Sequence, residues 1–236
     1  MDLSPIKGII FDKDGTLFDF ATTWEVWAQE FLLRLAGGNR LHAAELGQAV
    51  AFDFEAGRFA KSSVVIAGTP EDIADALLPL TPGFNRETLL QVMNTAAEEA
   101  PQKEAVPLVP LLQDLRARGL RLGVATNDAE VPATAHLEQA GITDYFDFVA
   151  GSDSGHGAKP GPGQLSAFAR LMDLSAQSCV MVGDSLNDLM AGRAAGMQTF
   201  AVLTGMADAE VLRPYADVLR PDIGHLPPWL DQIAAP

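Results

Sequence analysis

Five short apolar runs along the chain predict β-strands that are buried on both faces. Each run is continuously apolar instead of alternating, which is typical of a parallel sheet covered by helices. The runs span residues 6–12, 121–127, 145–151, 178–184 and 198–204. Helical patterns separate the last four runs and cover residues 130–141, 162–172 and 185–196. This alternation predicts right-handed crossovers and a doubly wound, Rossmann-like α/β core with a parallel five-stranded sheet.

Residues 20–105 break the alternation and carry only helical patterns. Apolar residues at helical spacing across 24–35 predict one helix, and Thr22 and Glu25 can form a capping box at its start. The other predicted helices begin at Thr69, begin at Asn85, and cover residues 41–52. The segment is therefore expected to be an all-helical insertion between the first strand and the rest of the core.

The length of the chain, 236 residues, permits a domain that carries a sizeable insertion. We expect residues 1–19 and 106–236 to form the α/β core domain and residues 20–105 to form an inserted α-helical cap domain. The single cysteine, Cys179, excludes an internal disulfide and fits a reducing compartment. Because it lies within an apolar run, we interpret it as a buried small side chain.

Charge and hydropathy limit the partners of the chain. The formal net charge is −15, with 31 acidic and 16 basic residues, which argues against binding to the phosphate backbone of nucleic acid. The N-terminus lacks the apolar region of a signal peptide, and no apolar run approaches the ~18 residues of a membrane span. We expect a cytoplasmic protein that binds neither nucleic acid nor membrane; the sequence leaves its oligomeric state open.

Polar side chains with catalytic potential follow four of the predicted strands. They are Asp12 and Asp14 after the first strand, Thr126 and Asn127 after the second, Lys159 in a Gly-rich loop after the third, and Asp184 and Asp188 after the fourth. Ligands of open α/β sheets bind outside the carboxyl ends of the strands, so these groups are expected to share one rim. Asp12 and Asp14 would lie on one face of an extended segment, at a cost in free energy unless a positive charge lies between them.

These residues resemble the motifs of the haloacid dehalogenase-like (HAD-like) superfamily of phosphohydrolases. That family has a DxDGT loop, a Ser or Thr that closes the second strand, a Lys before a helix, and a final GDxxxD. The corresponding segments here are residues 12–16, Thr126, Lys159 and residues 183–188, in that order. The position of the helical insertion is similar to the α-helical cap of phosphoglycolate phosphatase-like members, and the resemblance covers essentially the whole chain.

The resemblance implies a phosphatase mechanism in two steps. Asp12 would be the nucleophile that forms an aspartyl-phosphate, which divides one slow reaction into two easier ones. Asp14 would protonate the leaving alcohol and then deprotonate the attacking water, and a neighbouring carboxylate favours its neutral form. Thr126 Oγ, the Asn127 backbone N–H and Lys159 would bind the oxygens of the transferred phosphoryl group.

A magnesium ion is also implied. Asp12, Asp184 and the backbone carbonyl of Asp14 would hold it, with Asp188 in its outer shell. With Asp14 protonated, three carboxylates and the ammonium of Lys159 leave about two negative charges, which would repel a phosphate dianion. One Mg²⁺ would make the site about neutral, and hard oxygen atoms are the ligands that this ion prefers.

Simpler interpretations exist for each motif. Asp-Gly is a common turn pair, acidic residues such as Asp184 and Asp188 suit the start of any helix, and a loop lysine is usually solvated. An EF-hand is excluded by the position of Gly15.

On the same scaffold a phosphomutase, similar to β-phosphoglucomutase, is an alternative to a phosphatase. Asp14 speaks against a dehalogenase, which has no use for an acid at this position. The non-enzymatic alternative is a regulator that binds phosphate without hydrolysing it.

The choice of substrate is expected to depend on the cap. The segment 54–63 is the candidate substrate-facing loop, in which Arg58 and Lys61 would meet a carboxylate or a second phosphate. A small phosphorylated metabolite such as 2-phosphoglycolate is the substrate implied by the resemblance, while sugar phosphates and nucleoside monophosphates stay open. The four histidines, His42, His136, His156 and His225, match no metal spacing and are expected at the surface.

Overall fold

A six-stranded parallel sheet forms the centre of the core in the computed structural model, which describes residues 5–234. The strand order is β5-β4-β1-β6-β7-β8. The strands are β1 (Gly8–Phe11), β4 (Arg121–Ala125), β5 (Phe148–Ala150), β6 (Cys179–Gly183), β7 (Gln198–Val202) and β8 (Val218–Arg220). Each of the five predicted runs contains one of these strands. The prediction lacked β8, which is only three residues long and partly buried.

Helices cover both faces of this sheet. In β1 the side chains of Ile9 and Phe11 join one hydrophobic cluster and that of Ile10 joins another, because successive side chains of a strand point to opposite faces. Leu112 and Leu137 pack in the first cluster and Phe168 in the second. The core helices are α6 (Leu108–Ala117), α7 (Glu130–Gln139), α8 (Gly163–Leu171), α9 (Leu186–Ala194), α10 (Ala209–Leu212) and α11 (Leu226–Ala234). The predicted α/β class with a parallel sheet is confirmed.

The insertion between β1 and α6 has its own hydrophobic cluster, built largely from residues 20–100. Its helices are α1 (Phe20–Leu35), α2 (Arg40–Ala49), α3 (Val64–Ala67), α4 (Pro70–Leu77) and α5 (Arg86–Glu98). The prediction of an all-helical insertion is wrong in one detail. A short antiparallel hairpin, β2 (Phe52–Asp53) and β3 (Arg58–Phe59), follows α2.

The caps of the inserted helices follow the sequence signals with one exception. Thr69 and Asn85 are the N-caps of α4 and α5, where helix starts were predicted, and each forms a capping box. The predicted capping box of Thr22 and Glu25 is wrong, because Asp19 is the N-cap of α1. The Asp19 side chain accepts a hydrogen bond from the Thr22 backbone N–H at 2.7 Å, so the helix begins at Phe20.

Two chain segments connect the cap to the core, and they lie side by side. The Asp19 backbone N–H donates to the Lys103 carbonyl at 2.8 Å, and the Ala105 N–H donates to the Leu17 carbonyl at 2.9 Å. Phe18 and Glu104 form an antiparallel bridge between these bonds. Across residues 5–234, none of the helices has both the length and the apolar character needed to cross a bilayer.

Candidate active site

The central strands bring the predicted polar residues to one edge of the sheet. Asp12 directly follows β1, Thr126 follows β4 and Asp184 follows β6, and β1 pairs with both of the other strands. Because all three strands are parallel, their carboxyl ends lie next to one another. The Asp12 backbone N–H still donates to the Val182 carbonyl of β6 at 2.8 Å, so the ladder fixes where this aspartate leaves the sheet.

Three buried carboxylates, Asp12, Asp184 and Asp188, form what we call the carboxylate cluster. Each offers an oxygen atom, and these atoms lie within 4.8 Å of one another. Asp188 stands in the first turn of α9, where its Oδ2 accepts a 2.9 Å hydrogen bond from the Ser185 backbone N–H. Asp184 Oδ1 accepts a 3.2 Å hydrogen bond from Thr16 Oγ1. The capping box of α9 therefore orients one member of the cluster.

Lys159 supplies the positive charge within the cluster. Its Nζ donates to Asp12 Oδ1 and Asp188 Oδ1, both at 2.6 Å, and to the Ala125 carbonyl at 2.7 Å. Asn127 positions this lysine, because its Oδ1 accepts a hydrogen bond from the Lys159 backbone N–H at 2.8 Å. Burial would lower the pKa of Lys159, but Asp12 and Asp188 raise it above the usual lysine value, so the side chain is an ammonium.

The carboxylate cluster suits a divalent cation. Burial, with the repulsion of the neighbouring carboxylates, raises the pKa of Asp12 to about 7 and that of Asp184 well above its usual range. Three carboxylates against one ammonium leave an excess of two negative charges in a buried site. A hard divalent ion bound by oxygen atoms would offset this charge, so the donor set fits Mg²⁺.

Gly15 allows the loop after β1 to approach this cluster closely. Its φ angle is +84°, and a Cβ atom at this position would lie 2.5 Å from Asp184 Oδ2. Any other residue would therefore meet both backbone strain and a collision with a cluster carboxylate. The Gly15 carbonyl accepts a 2.6 Å hydrogen bond from Thr204 Oγ1, which ties the loop to the segment after β7.

Asp14 points to a second, separate group of charges. Both of its carboxylate oxygens lie 2.7–2.8 Å from Lys13 Nζ, and the Lys13 side chain is completely buried. The same Nζ donates to His136 Nδ1 at 2.9 Å and lies 3.3 Å from Asp128 Oδ2. The ammonium also lies 5.3 Å from the centre of a Trp24 ring. We call Lys13, Asp14, Asp128 and His136 the Lys13 network.

A cavity of about 680 Å³, which includes space open to solvent, lies between the cap and the edge of the sheet. The core side carries the carboxylate cluster, Asp14, Asp128 and Lys159. The cap side is what we call the apolar wall, and its main residues are Phe20, Trp24, Trp27, Ile66, Ile73 and Met93. The amide nitrogens of Asn127 and Asn187 both donate to the Ala67 carbonyl, at 2.8 and 3.0 Å, and so hold α3 against the core.

The family model of the haloacid dehalogenase-like hydrolases matches residues 6–196. This match spans most of the chain and includes every motif at the edge of the sheet. The chain belongs to the haloacid dehalogenase-like hydrolase family. The resemblance stated from the sequence and the expectation of an enzyme are thereby confirmed.

Curated relatives carry a more specific name. The phosphoglycolate phosphatase of Nitrosospira multiformis is 32% identical over 85% of each chain, and that of Chromobacterium violaceum is 31% identical over 90% of this chain and 91% of its own. The phosphoglycolate phosphatase of Neisseria meningitidis is 40% identical, but the match covers only 48% of each chain, so this chain spans about half of that relative.

Solved structures show that the fold is that of this HAD-like family. A predicted phosphoglycolate phosphatase from Haemophilus somnus superposes with a TM-score of 0.75 over 96% of this chain and 98% of its own, at 18% identity. A β-phosphoglucomutase from Clostridium difficile, also 18% identical, superposes over 96% of this chain and 98% of its own with a TM-score of 0.67.

All of the predicted core residues line the cavity, whereas the two predicted cap residues do not. The lining residues are Asp12, Asp14, Thr126, Asn127, Lys159, Asp184 and Asp188. Arg58 lies exposed on β3, opposite Asp53 in the hairpin, and Lys61 Nζ pairs with Asp208 Oδ2 at 2.5 Å. Both side chains are exposed, and neither lines the cavity.

The Lys13 network was not predicted from the sequence. His136 was expected at the surface, which is wrong because its side chain is completely buried. His136 Nε2 donates to the Ala97 carbonyl of α5 at 2.7 Å, so Nδ1 accepts from Lys13 and the imidazole is neutral. A lysine directly after an apolar strand was the available signal, but its partners Asp128 and His136 are more than 100 residues away along the chain.

Burial and the adjacent Lys13 ammonium lower the pKa of His136 from 6.5 to about 4. The unfolded chain therefore binds this proton more readily, and the stability that His136 contributes is present above about pH 6.5 and lost as the pH falls toward 4. We expect the contribution of His136 to the free energy of unfolding to fall by about 3 kcal/mol between pH 7 and pH 4. His136→Gln should lack this part of the pH dependence in urea unfolding curves. If the free energy of unfolding changes with pH equally in the wild type and the variant, the lowered pKa of His136 is contradicted.

Proposed function

We propose that the protein is an Mg²⁺-dependent phosphatase that hydrolyses a small phosphorylated metabolite through an aspartyl-phosphate on Asp12. The observation that carries the proposal is the convergence of the carboxylate cluster and Lys159 on one side of a single cavity. The family match and the names of the curated relatives support the same reaction.

The phosphoryl group would lie beside Asp12, with its oxygen atoms bound by Thr126 Oγ, the Asn127 backbone N–H and Lys159. Asp12, Asp184 and the Asp14 carbonyl would hold Mg²⁺, with Asp188 in its outer shell, and the ion would neutralise the charge of the phosphate and of its ligands. Lys159 already contacts Asp12, so its ammonium is in place to stabilise charge on the oxygens during transfer.

Asp14 would serve as the acid for the leaving alcohol and then as the base for the attacking water. Its side chain lines the cavity next to Asp12 without belonging to the carboxylate cluster. Lys13 holds both Asp14 oxygens, which fixes the direction of the carboxyl group before substrate arrives. Closure of the cap by Asn127 and Asn187 would exclude bulk water from both steps.

The candidate substrates follow from the relatives and from the fold. The names of the curated relatives suggest 2-phosphoglycolate as the first compound to assay. The fold is equally compatible with a phosphomutase, since a β-phosphoglucomutase superposes on it. A requirement for a sugar bisphosphate, with isomerised sugar phosphate as product, would favour the mutase. A location in the cytoplasm stays a prediction.

The proposal predicts that hydrolysis of p-nitrophenyl phosphate requires Mg²⁺ and stops when a chelator is added. Binding of the ion should also stabilise the fold, and at about 100 times its dissociation constant it should raise the Tm by about 5–10 °C. Asp184→Asn, which removes one cluster charge, should reduce this shift. Undiminished hydrolysis after chelation would refute the metal requirement, and absence of hydrolysis with Mg²⁺ would favour a phosphate-binding regulator.

A further inference from the structure

No cation that could bind an anionic substrate group lines the cap side of the cavity among residues 5–234. Among the described residues that line the cavity, Lys159 is the one cationic side chain, and its three hydrogen bonds go to Asp12, Asp188 and the Ala125 carbonyl. Arg58 and Lys61 lie outside the cavity. The carboxylate of a bound 2-phosphoglycolate would therefore have no partner of opposite charge on this side.

The surroundings of that carboxylate would also be unfavourable. Asp128 lines the cavity beside Asp14 and brings a further acidic group to the space where the organic part of a substrate must lie. The opposite side is the apolar wall, in which Phe20, Trp24 and Trp27 are almost completely buried. An unpaired charge loses hydration against such a surface, whereas an aromatic or aliphatic group gains from being removed from water.

The hydrogen-bonding groups on the cap side are neutral. Asn94 presents an amide, and Trp27 has an indole N–H that is buried with no acceptor among the residues described. Trp27 also stacks on Phe31, with ring centroids 4.9 Å apart, so its ring is held in place. A fixed aromatic surface with neutral donors suits an uncharged group, with or without a hydroxyl, ether or carbonyl oxygen.

We propose that the substrates are phosphomonoesters whose alcohol carries an uncharged, apolar and preferably aromatic group, with 2-phosphoglycolate a poor substrate. This inference rests on the proposed phosphatase function and names the substrate class of the same site. The phosphoryl group would lie on the core side against Asp12, and the organic group would pack against the apolar wall.

Two matched esters test the inference with the wild-type enzyme. Benzyl phosphate and 2-phosphoglycolate are both phosphate esters of a primary alcohol, and they differ in whether a phenyl ring or a carboxylate is attached to the CH₂ group. We expect kcat/KM for benzyl phosphate to be at least about tenfold higher. An equal or higher value for 2-phosphoglycolate would overturn the inference. If p-nitrophenyl phosphate is still hydrolysed in that case, the phosphatase function stands; if no ester is hydrolysed, that function fails and the inference with it.

A cation placed on the apolar wall should change the preference. Ile66→Arg introduces it at a partly buried position of α3, and should shift the ratio of the two kcat/KM values toward 2-phosphoglycolate by at least about tenfold. Leu41→Arg is the matched control, because Leu41 is 80% exposed on α2 and does not line the cavity. Its ratio should equal that of the wild type. An unchanged ratio in a folded Ile66→Arg enzyme would overturn the role of the wall, and the wild-type comparison decides the inference if that variant does not fold.

Discussion

Replacement of Asp12 by Asn should lower kcat for p-nitrophenyl phosphate by about 10,000-fold or more. The amide cannot attack phosphorus as a carboxylate does, and loss of a covalent nucleophile is among the largest single effects known in enzymes. The measurement is steady-state hydrolysis at saturating Mg²⁺. Asp19→Asn is the control, because Asp19 is an aspartate outside the cavity that caps α1.

The effect of Asp12→Asn should not come from unfolding. The carboxylate cluster has more negative than positive charge, and burial raises the pKa of Asp12 to about 7, so the carboxylate costs free energy at alkaline pH without a cation. The Asn variant should therefore unfold at no lower temperature than the wild type at pH 8 without Mg²⁺. An activity within tenfold of the wild type would remove Asp12 as the nucleophile.

Replacement of Lys13 by Met should destabilise the protein by about 3–5 kcal/mol. Met fills nearly the same volume, but it leaves the partly buried Asp14 and Asp128 without the ammonium that they share. His136 Nδ1 loses its hydrogen-bond donor as well. Urea unfolding at pH 7 measures the loss as a change in the transition midpoint.

A double substitution separates lost charge compensation from lost packing. Burial raises the pKa of Asp128 to about 6, while Lys13 opposes this shift, so the two side chains are coupled. Asp128→Asn should lower the free energy of unfolding less in the Lys13→Met protein than in the wild type. In a double-mutant cycle the difference should be about 1 kcal/mol or more. Additive effects, or a Lys13→Met protein within 1 kcal/mol of the wild type, would show that the buried ion pair contributes little.

The central fold was predictable because its signals are local. Strands such as β1 and β6 are buried on both faces and appear as continuous apolar runs. The sixth strand, β8, and the hairpin of β2 and β3 have only two or three residues each, and such short segments carry no periodicity. Pairing with a neighbouring strand creates them, and the sequence does not show which segment becomes that neighbour.

In the candidate site, too, the residues placed by local signals were predictable and those placed by distant contacts were not. The positions of Asp12, Thr126 and Asp184 follow from one rule, since residues at the carboxyl ends of adjacent parallel strands must meet. The partners of Lys13 depend on where α7 packs against the cap, and His136 is 123 positions away along the chain. Arg58 and Lys61 were selected for their charge, and the hairpin that carries Arg58 was not foreseen.

The side-by-side connections at Phe18 and Glu104 make the cap an exchangeable module. Because the chain leaves and re-enters the core at paired positions, a segment of any length whose ends meet in the same way leaves the sheet undisturbed. The length and sequence of the inserted segment can therefore change while the strands that carry Asp12, Thr126 and Asp184 keep their places.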